Sequence, residues 1–182
     1  IDALSMSMES SDAVETLRVV RSQGELLQVL INDVVDLSKM EAGRLNFEPK
    51  PVAIANIFAD VWSLMNPLAQ EKGLTIRWRA ETLLPREIIC DGYRLKQVCV
   101  NLLGNAIKFT DHGAITIAAR VDDTNAEASE LILEIRDTGC GIPKEKLDAI
   151  FEEFEQGDSR KPGTGLGLPI SRRLVSLMGG TL

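Results

Sequence analysis

"NLLGNAIKF", residues 101–109, decides how the rest of the chain is read. Asn101, Asn105 and Lys108 stand four and three positions apart, so all three project from one face of a single helix. Leu95, Val98, Leu102, Ala106 and Phe109 take the opposite stripe, the expected buried side. Two amide oxygens and an ammonium on one polar face suit a hard cation and a phosphate chain, the amides as ligands and the lysine as a point charge. A merely solvated helix face has the same pattern, so its neighbours have to decide between the two.

Two glycine-spaced stretches follow. In "ILEIRDTGCGIP", residues 132–143, an apolar-alternating strand runs straight into Asp137, Gly139 and Gly141. Glycines at alternate positions let backbone approach a flat ligand closely, and an ionised aspartate accepts from an exocyclic amine, so Asp137 suits adenine; an ordinary Asp-Thr-Gly turn is the bland alternative. In "GTGLGLPIS", residues 163–171, Gly163, Gly165 and Gly167 lead into an apolar helix whose first turn offers free N–H groups to phosphate. No GK[ST] follows, so it is not a Walker loop, and Leu168 stands where a dinucleotide fingerprint needs its last glycine. Between the two lie "FEEFEQ" (151–156) and the polar "GDSRKP" (157–162), a hinge and lid carrying Arg160 and Lys161.

Composition narrows the function classes. With 20 basic against 27 acidic residues the net charge is −7, which argues against unspecific binding to nucleic acid or anionic membrane and requires a local positive site for any polyanion. Cys90, Cys99 and Cys140 lack CxxC spacing and read as reduced structural thiols in a cytoplasm-like compartment. Neither a membrane-spanning apolar run nor a signal peptide is visible, so no direct membrane contact is expected of these residues.

From Asp12 to about Gly43 there is no proline, and Leu17, Val20, Leu27, Leu30, Ile31, Val34 and Leu37 form one helical stripe, with Gly43 placed to end the helix. Residues 1–9 read as the tail of a preceding helix, giving an antiparallel hairpin whose exposed stripe calls for a second copy of the chain. "EPKPV", residues 48–52, marks a boundary between residues 1–47 and 48–182. Beyond it the pattern predicts helices near 54–72, 92–109 and 166–178, a short helix after Pro143, and strands near 74–79, 87–90, 114–121 and 131–136. The expected class is α+β, a mixed sheet covered on one face by helices.

Taken in order, "NLLGNAIKF", "DTGCGIP", "FEEFEQ" and "GTGLGL" resemble the N box, first glycine box, F box and second glycine box of sensor histidine kinases, and "INDVVDLSKMEAGRL" (31–45) resembles the end of their dimerisation and phosphotransfer hairpin. The resemblance implies the α/β sandwich shared by histidine kinases, gyrase and a heat-shock chaperone, with ATP and Mg²⁺ as ligands. By the same resemblance Asn105 binds Mg²⁺ with Asn101 beside it, Lys108 contacts phosphate, and Asp137 accepts from the adenine amino group. Gly139 and Gly141 shape the base pocket and Gly163, Thr164, Gly165, Leu166 and Gly167 line the phosphates, while Phe109, Ile142, Leu168 and the lid residues Arg160 and Lys161 are further nucleotide-binding candidates. Phe151 and Phe154 seat the lid, which has only eight residues between Phe154 and Gly163.

Relatives of this superfamily that hydrolyse ATP resemble one another in carrying glutamate at the position of Asn101. An amide cannot act as a general base near neutral pH, so Asn101 favours phosphate transfer over hydrolysis. The resemblance implies a kinase that phosphorylates a histidine for relay to the aspartate of a response-regulator receiver domain; the exposed stripe adds a homodimer, and the charge balance argues against nucleic acid as a partner. The only histidine, His112, lies in "FTDHG" (109–113), a helix exit and turn with none of the H-E/D-x-x-x-P setting of a phosphoacceptor. The acceptor is therefore expected upstream of Ile1, in a chain truncated there and short of its last strands. The alternatives are a catalytically degenerate nucleotide-binding regulatory module and a serine kinase of the anti-sigma type. The compartment expected is cytoplasmic, with membrane anchoring of a longer protein left open.

Overall fold

A computed structural model of the chain describes residues 31, 33–40, 42–123, 129–155 and 164–182. Most of the expected long helix, the whole expected hairpin partner and the polar lid stretch lie outside the described residues. The chain divides into two units, Ile1–Leu45 and Asn46–Leu182. In the first, residues 33–40 are helical. The helix ends as its sequence suggests: Gly43 takes φ 63°, its N–H donates to the Met40 carbonyl at 3.0 Å, and the Arg44 N–H reaches back to Lys39 at 2.8 Å. Ile31 and Val34 of the expected stripe are exposed in this unit.

The second unit runs β1 (Lys50–Ala53), α1 (Ile54–Glu71), β2 (Thr75–Ala80), β3 (Glu87–Cys90), α2 (Gly92–Phe109), β4 (Ala114–Asp122), β5 (Glu130–Asp137) and α3 (Gly167–Leu177). β2, β4 and β5 form one sheet in that order, the first pair parallel and the second antiparallel. A parallel pair needs a long crossover, and α2 supplies it. Asp91 starts α2: one carboxylate oxygen accepts the Arg94 N–H at 3.1 Å and the other the Glu48 N–H at 3.1 Å. α1 stops at Gly73, whose φ of 71° lets the Leu74 N–H return to the Ala69 carbonyl at 2.8 Å.

Ile76 of β2 pairs with Ile115 of β4, and Ile115 with Asp137 of β5; one layer on, Trp78, Ile117 and Ile135 are aligned. Paired residues share a face, and on this face Ile76, Ile115 and Ile117 pack with Ile57, Val61, Met65 and Ala69 of α1 and Leu103 and Ile107 of α2. The helices thus cover one side of a mixed sheet, the architecture expected. Asp137, at the end of β5, belongs to the helix-covered face by register.

Three local expectations are corrected. The buried arc of α2 is Val98, Cys99, Leu103, Ala106 and Ile107, while Leu95, Leu102 and Phe109 are only partly buried. Contacts with α1, β5 and α3 on different sides turn the arc toward Leu103 and Ile107. "EPKPV" is more than a boundary: Lys50–Ala53 is β1, paired antiparallel with β3 in a separate two-stranded sheet, where Pro51 opposite Ile89 is tolerated at an edge. After Pro143 come two single 3₁₀ turns, Lys144–Lys146 and Ala149–Phe151, in place of a short α-helix.

Candidate active site

α2 carries Asn101, Asn105 and Lys108 half-buried along one face. Asn101 is committed sideways: its Nδ2 donates to the Ser171 hydroxyl at 2.7 Å, and Ser171 is buried on α3. Gly167, in the first turn of α3, has no room for a Cβ because the Asn101 amide fills that volume. Asn101 therefore joins the helix of the first motif to the helix of the last. The side chain of Asn105, one turn on, has no hydrogen-bond partner among the described residues. The Lys108 ammonium lies 4.6 Å from the Phe109 ring centroid, at the C-terminal end of the same face.

Directly beyond that end stands the loop after β5. The Gly139 N–H donates to Asp137 Oδ1 at 2.8 Å, which fixes the carboxylate. A Cβ on Gly139 would lie 2.5 Å from the Phe109 carbonyl oxygen, so the loop and the α2 exit touch backbone to backbone. Thr138 ties the same two segments: its hydroxyl donates to the His112 carbonyl at 3.3 Å and accepts from the Ala114 N–H at 3.2 Å. His112 enters this network through its backbone, as a turn residue. From the other side the Lys72 ammonium donates to the carbonyls of Ile107 (2.7 Å), Lys108 (3.0 Å) and Thr110 (2.8 Å). Asp137, Gly141 and Ile142 are exposed, open to a ligand.

The second glycine stretch is anchored by Leu166, Ile170 and Leu174, all buried. Thr164 turns inward, its hydroxyl accepting from the Leu166 N–H at 3.0 Å. Gly165 takes the Phe154 N–H on its carbonyl at 3.2 Å, and a Cβ there would fall 2.7 Å from the Phe154 carbonyl carbon. The hinge phenylalanine and the glycine stretch are thus in backbone contact, with Phe154 itself in the left-handed region at φ 65°. Phe151 lies under the Arg172 guanidinium of α3 at 5.0 Å. No side chain caps the N-terminus of α3, which leaves the N–H groups around Gly167 and Leu168 for another acceptor. Arg160, Lys161 and Gly163 lie outside the described residues.

Among the described residues no group of three or more His, Cys, Asp or Glu can hold a metal ion. The Asn105 amide oxygen suits a cation that keeps waters and phosphate oxygens as its other ligands. Burial pushes the Cys99 thiol up to about 12, and Cys90 is raised by burial and by the charge of Asp91; Cys140, between the two glycines, is exposed. Sequence reasoning missed Thr138, Ser171 and Lys72. Thr138 stood inside a quoted motif and Ser171 four residues after Gly167, whereas nothing in the sequence pairs Lys72 with residues 35 to 38 positions away.

A profile of the histidine kinase-, DNA gyrase B- and HSP90-like ATPases matches residues 90–182. The aerobic respiration control sensor protein ArcB of Escherichia coli strain K12 is 37% identical over 171 residues, 91% of this chain and 22% of ArcB. The signal transduction histidine-protein kinase BarA of the same strain is 39% identical over 168 residues, 90% of this chain and 18% of BarA. The chain thus spans about a fifth of the length of these curated relatives. A crystal structure of full-length ShkA in complex with AMPPNP superimposes with a TM-score of 0.76 at 36% identity, over 87% of this chain and 32% of that one. The chain therefore belongs to the histidine kinase-, DNA gyrase B- and HSP90-like ATPase family, as an ATP-binding catalytic domain of the sensor histidine kinase type.

Proposed function

We propose that this chain binds Mg-ATP and donates the γ-phosphoryl group to a histidine supplied from outside these 182 residues, for onward transfer to a response-regulator aspartate. The observation that carries the reading is the backbone contact between Gly139 and Phe109, which sets Asp137 beside the end of α2 where Asn105 and Lys108 project. One locus then offers an anionic acceptor for an amine, an uncommitted amide and a cation, the needs of a nucleobase, a divalent ion and a phosphate chain.

Asp137, held by the Gly139 N–H, accepts from the adenine amino group. Gly139, Gly141, Ile142 and Phe109 border the base. Lys108 steadies the phosphate chain, and the N–H groups around Gly165, Gly167 and Leu168 meet phosphate oxygens at the start of α3. Asn105 would hold Mg²⁺, which when bound shields phosphate charge. Asn101, as an amide bound to Ser171, provides no base to activate water, so transfer is favoured over hydrolysis. In the transfer an acceptor imidazole nitrogen forms a bond to the γ-phosphorus as the bond to the β,γ-bridging oxygen breaks and ADP leaves.

The exposed Ile31 and Val34 support a homodimer formed through the N-terminal helix. A receiver domain is the proposed recipient of the phosphate. Among the described residues no helix is long and apolar enough to cross a membrane.

The test is incubation of a longer chain, carrying the residues before Ile1, with ATP labelled on the γ-phosphate. Acid-labile, base-stable label on a histidine is expected. Acid-stable label indicates a serine kinase, and tight ATP binding without label indicates a regulatory module; either result overturns the transfer.

A further inference from the structure

We infer that Lys72 is a positioning residue of the nucleotide site: its ammonium locks the exit of α2 so that the phosphate-facing side of that helix and the base-reading loop keep one fixed separation. The inference rests on the nucleotide reading above. Lys72 lies at the C-cap of α1, 35 to 38 residues before its partners, and its stem reaches across to the end of α2.

A helix leaves its last four carbonyls without intrahelical donors. At the end of α2 the Ala106 carbonyl takes the Thr110 N–H at 3.1 Å. Those of Ile107, Lys108 and Thr110 are met by the single ammonium of Lys72, at 2.7, 3.0 and 2.8 Å. An ammonium has three donors, and all three are thereby used. Placed on these carbonyls, the cation also offsets the negative end of the helix dipole, and the Asp111 carboxylate lies 3.7 Å from the same nitrogen. The remaining carbonyl, that of Phe109, is the one in contact with Gly139.

The exit turn is therefore gripped on two sides. Lys72 holds it to α1, and Thr138 holds it to β5 through the His112 carbonyl and the Ala114 N–H. Lys108 and Asn105 lie just before the turn, and Asp137 lies across it. A ligand that touches only the base half does not depend on the separation between halves; one that spans both does. Loss of the grip should therefore weaken ATP binding selectively.

The experiment compares ATP with Mg²⁺ against adenosine on the 182-residue chain, by heteronuclear NMR titration, for the wild type and Lys72→Met. Methionine keeps the stem and removes the donors and the charge. ATP affinity is expected to fall about tenfold, while adenosine affinity changes less than about twofold. A structural loss that merely populates unfolded chain would lower both affinities by the same factor, and that equal loss overturns the role, as does unchanged ATP affinity. If Lys72→Met does not fold, Lys72→Gln, which retains an amide donor group, is read by the same ratio. Asp137→Asn separates the two claims: it should lower adenosine affinity in the wild-type background. If adenosine binding ignores that change, the nucleotide reading fails, whatever Lys72→Met does.

Discussion

Gly139→Ala puts the contact between the base loop and α2 under direct strain. An added Cβ would sit 2.5 Å from the Phe109 carbonyl oxygen and 3.0 Å from its carbon, with Asp137 Oδ1 at 2.8 Å. Ordinary contact begins near 3.4 Å, so the backbones must part by about 0.9 Å at the closest atom. Two of the three neighbours are main chain of a helix exit held by Lys72 and Thr138, so no rotamer change relieves the overlap. Overpacking of this kind costs about 1–3 kcal/mol. For a unit of this size that lowers the melting temperature by roughly 3 °C per kcal/mol. The same shift moves the Gly139 N–H away from Asp137; if Asp137 makes the proposed charge-assisted bond to the base, worth about 1.5–3 kcal/mol, ATP affinity should fall about tenfold to hundredfold. Thermal melting of the free chain and calorimetric titration with Mg-ATP measure the two effects separately. Gly141→Ala is the stability comparison: no atom lies within 4 Å of its Cβ position, and only its φ of 69° is strained, at a cost of about 1–2 kcal/mol. A Gly139→Ala chain that melts and binds ATP like the wild type would refute the backbone contact and with it the placement of Asp137.

Leu103→Ala empties a side chain that is 1% exposed at the centre of the core and should cost about 2–5 kcal/mol in urea denaturation. Ser171→Ala leaves the Asn101 amide without its acceptor and should cost about 1 kcal/mol, read in the same assay, while Ser171→Thr should fare worse because the site is fully enclosed. The Cys99 thiol, raised to about 12 by burial, has a folded pKa above its unfolded one. Its stabilising contribution is complete below about pH 9 and is lost as pH climbs toward 12, so alkaline denaturation profiles of the wild type should fall more steeply than those of Cys99→Ala. Alkylation at neutral pH should reach Cys140 first and Cys99 only on unfolding, and Mg-ATP should slow the reaction at Cys140; peptide mapping by mass spectrometry gives the order.

Much of the fold was legible because its elements announce themselves locally. α2 runs over Gly92–Phe109 and β3 over Glu87–Cys90, both as expected from the sequence pattern. β1 was not legible: one of its four residues is Pro51 and Pro49 stands just before it, which reads as a boundary, and the edge position opposite β3 makes Pro51 acceptable. The inward arc of α2 was placed toward Leu102 and Phe109 because a stripe read from one helix assumes one packing partner. Three elements pack around α2, and Leu103 and Ile107 occupy the enclosed positions.

Asn101, Asn105, Lys108, Asp137 and the glycines could be named from spacing and order alone, since a helix period and alternate glycines are properties of adjacent residues. Their sequence also determined the family. Which of them touch was decided by the tertiary structure. The strand register carries Asp137 onto the helix face, Ser171 engages the Asn101 amide, and Lys72 closes the end of a helix more than thirty residues away. Hydrogen bonds between distant segments depend on how helices and sheet are stacked, and the stacking is set by the shared burial of Val61, Leu103 and Ile115 rather than by any local pattern.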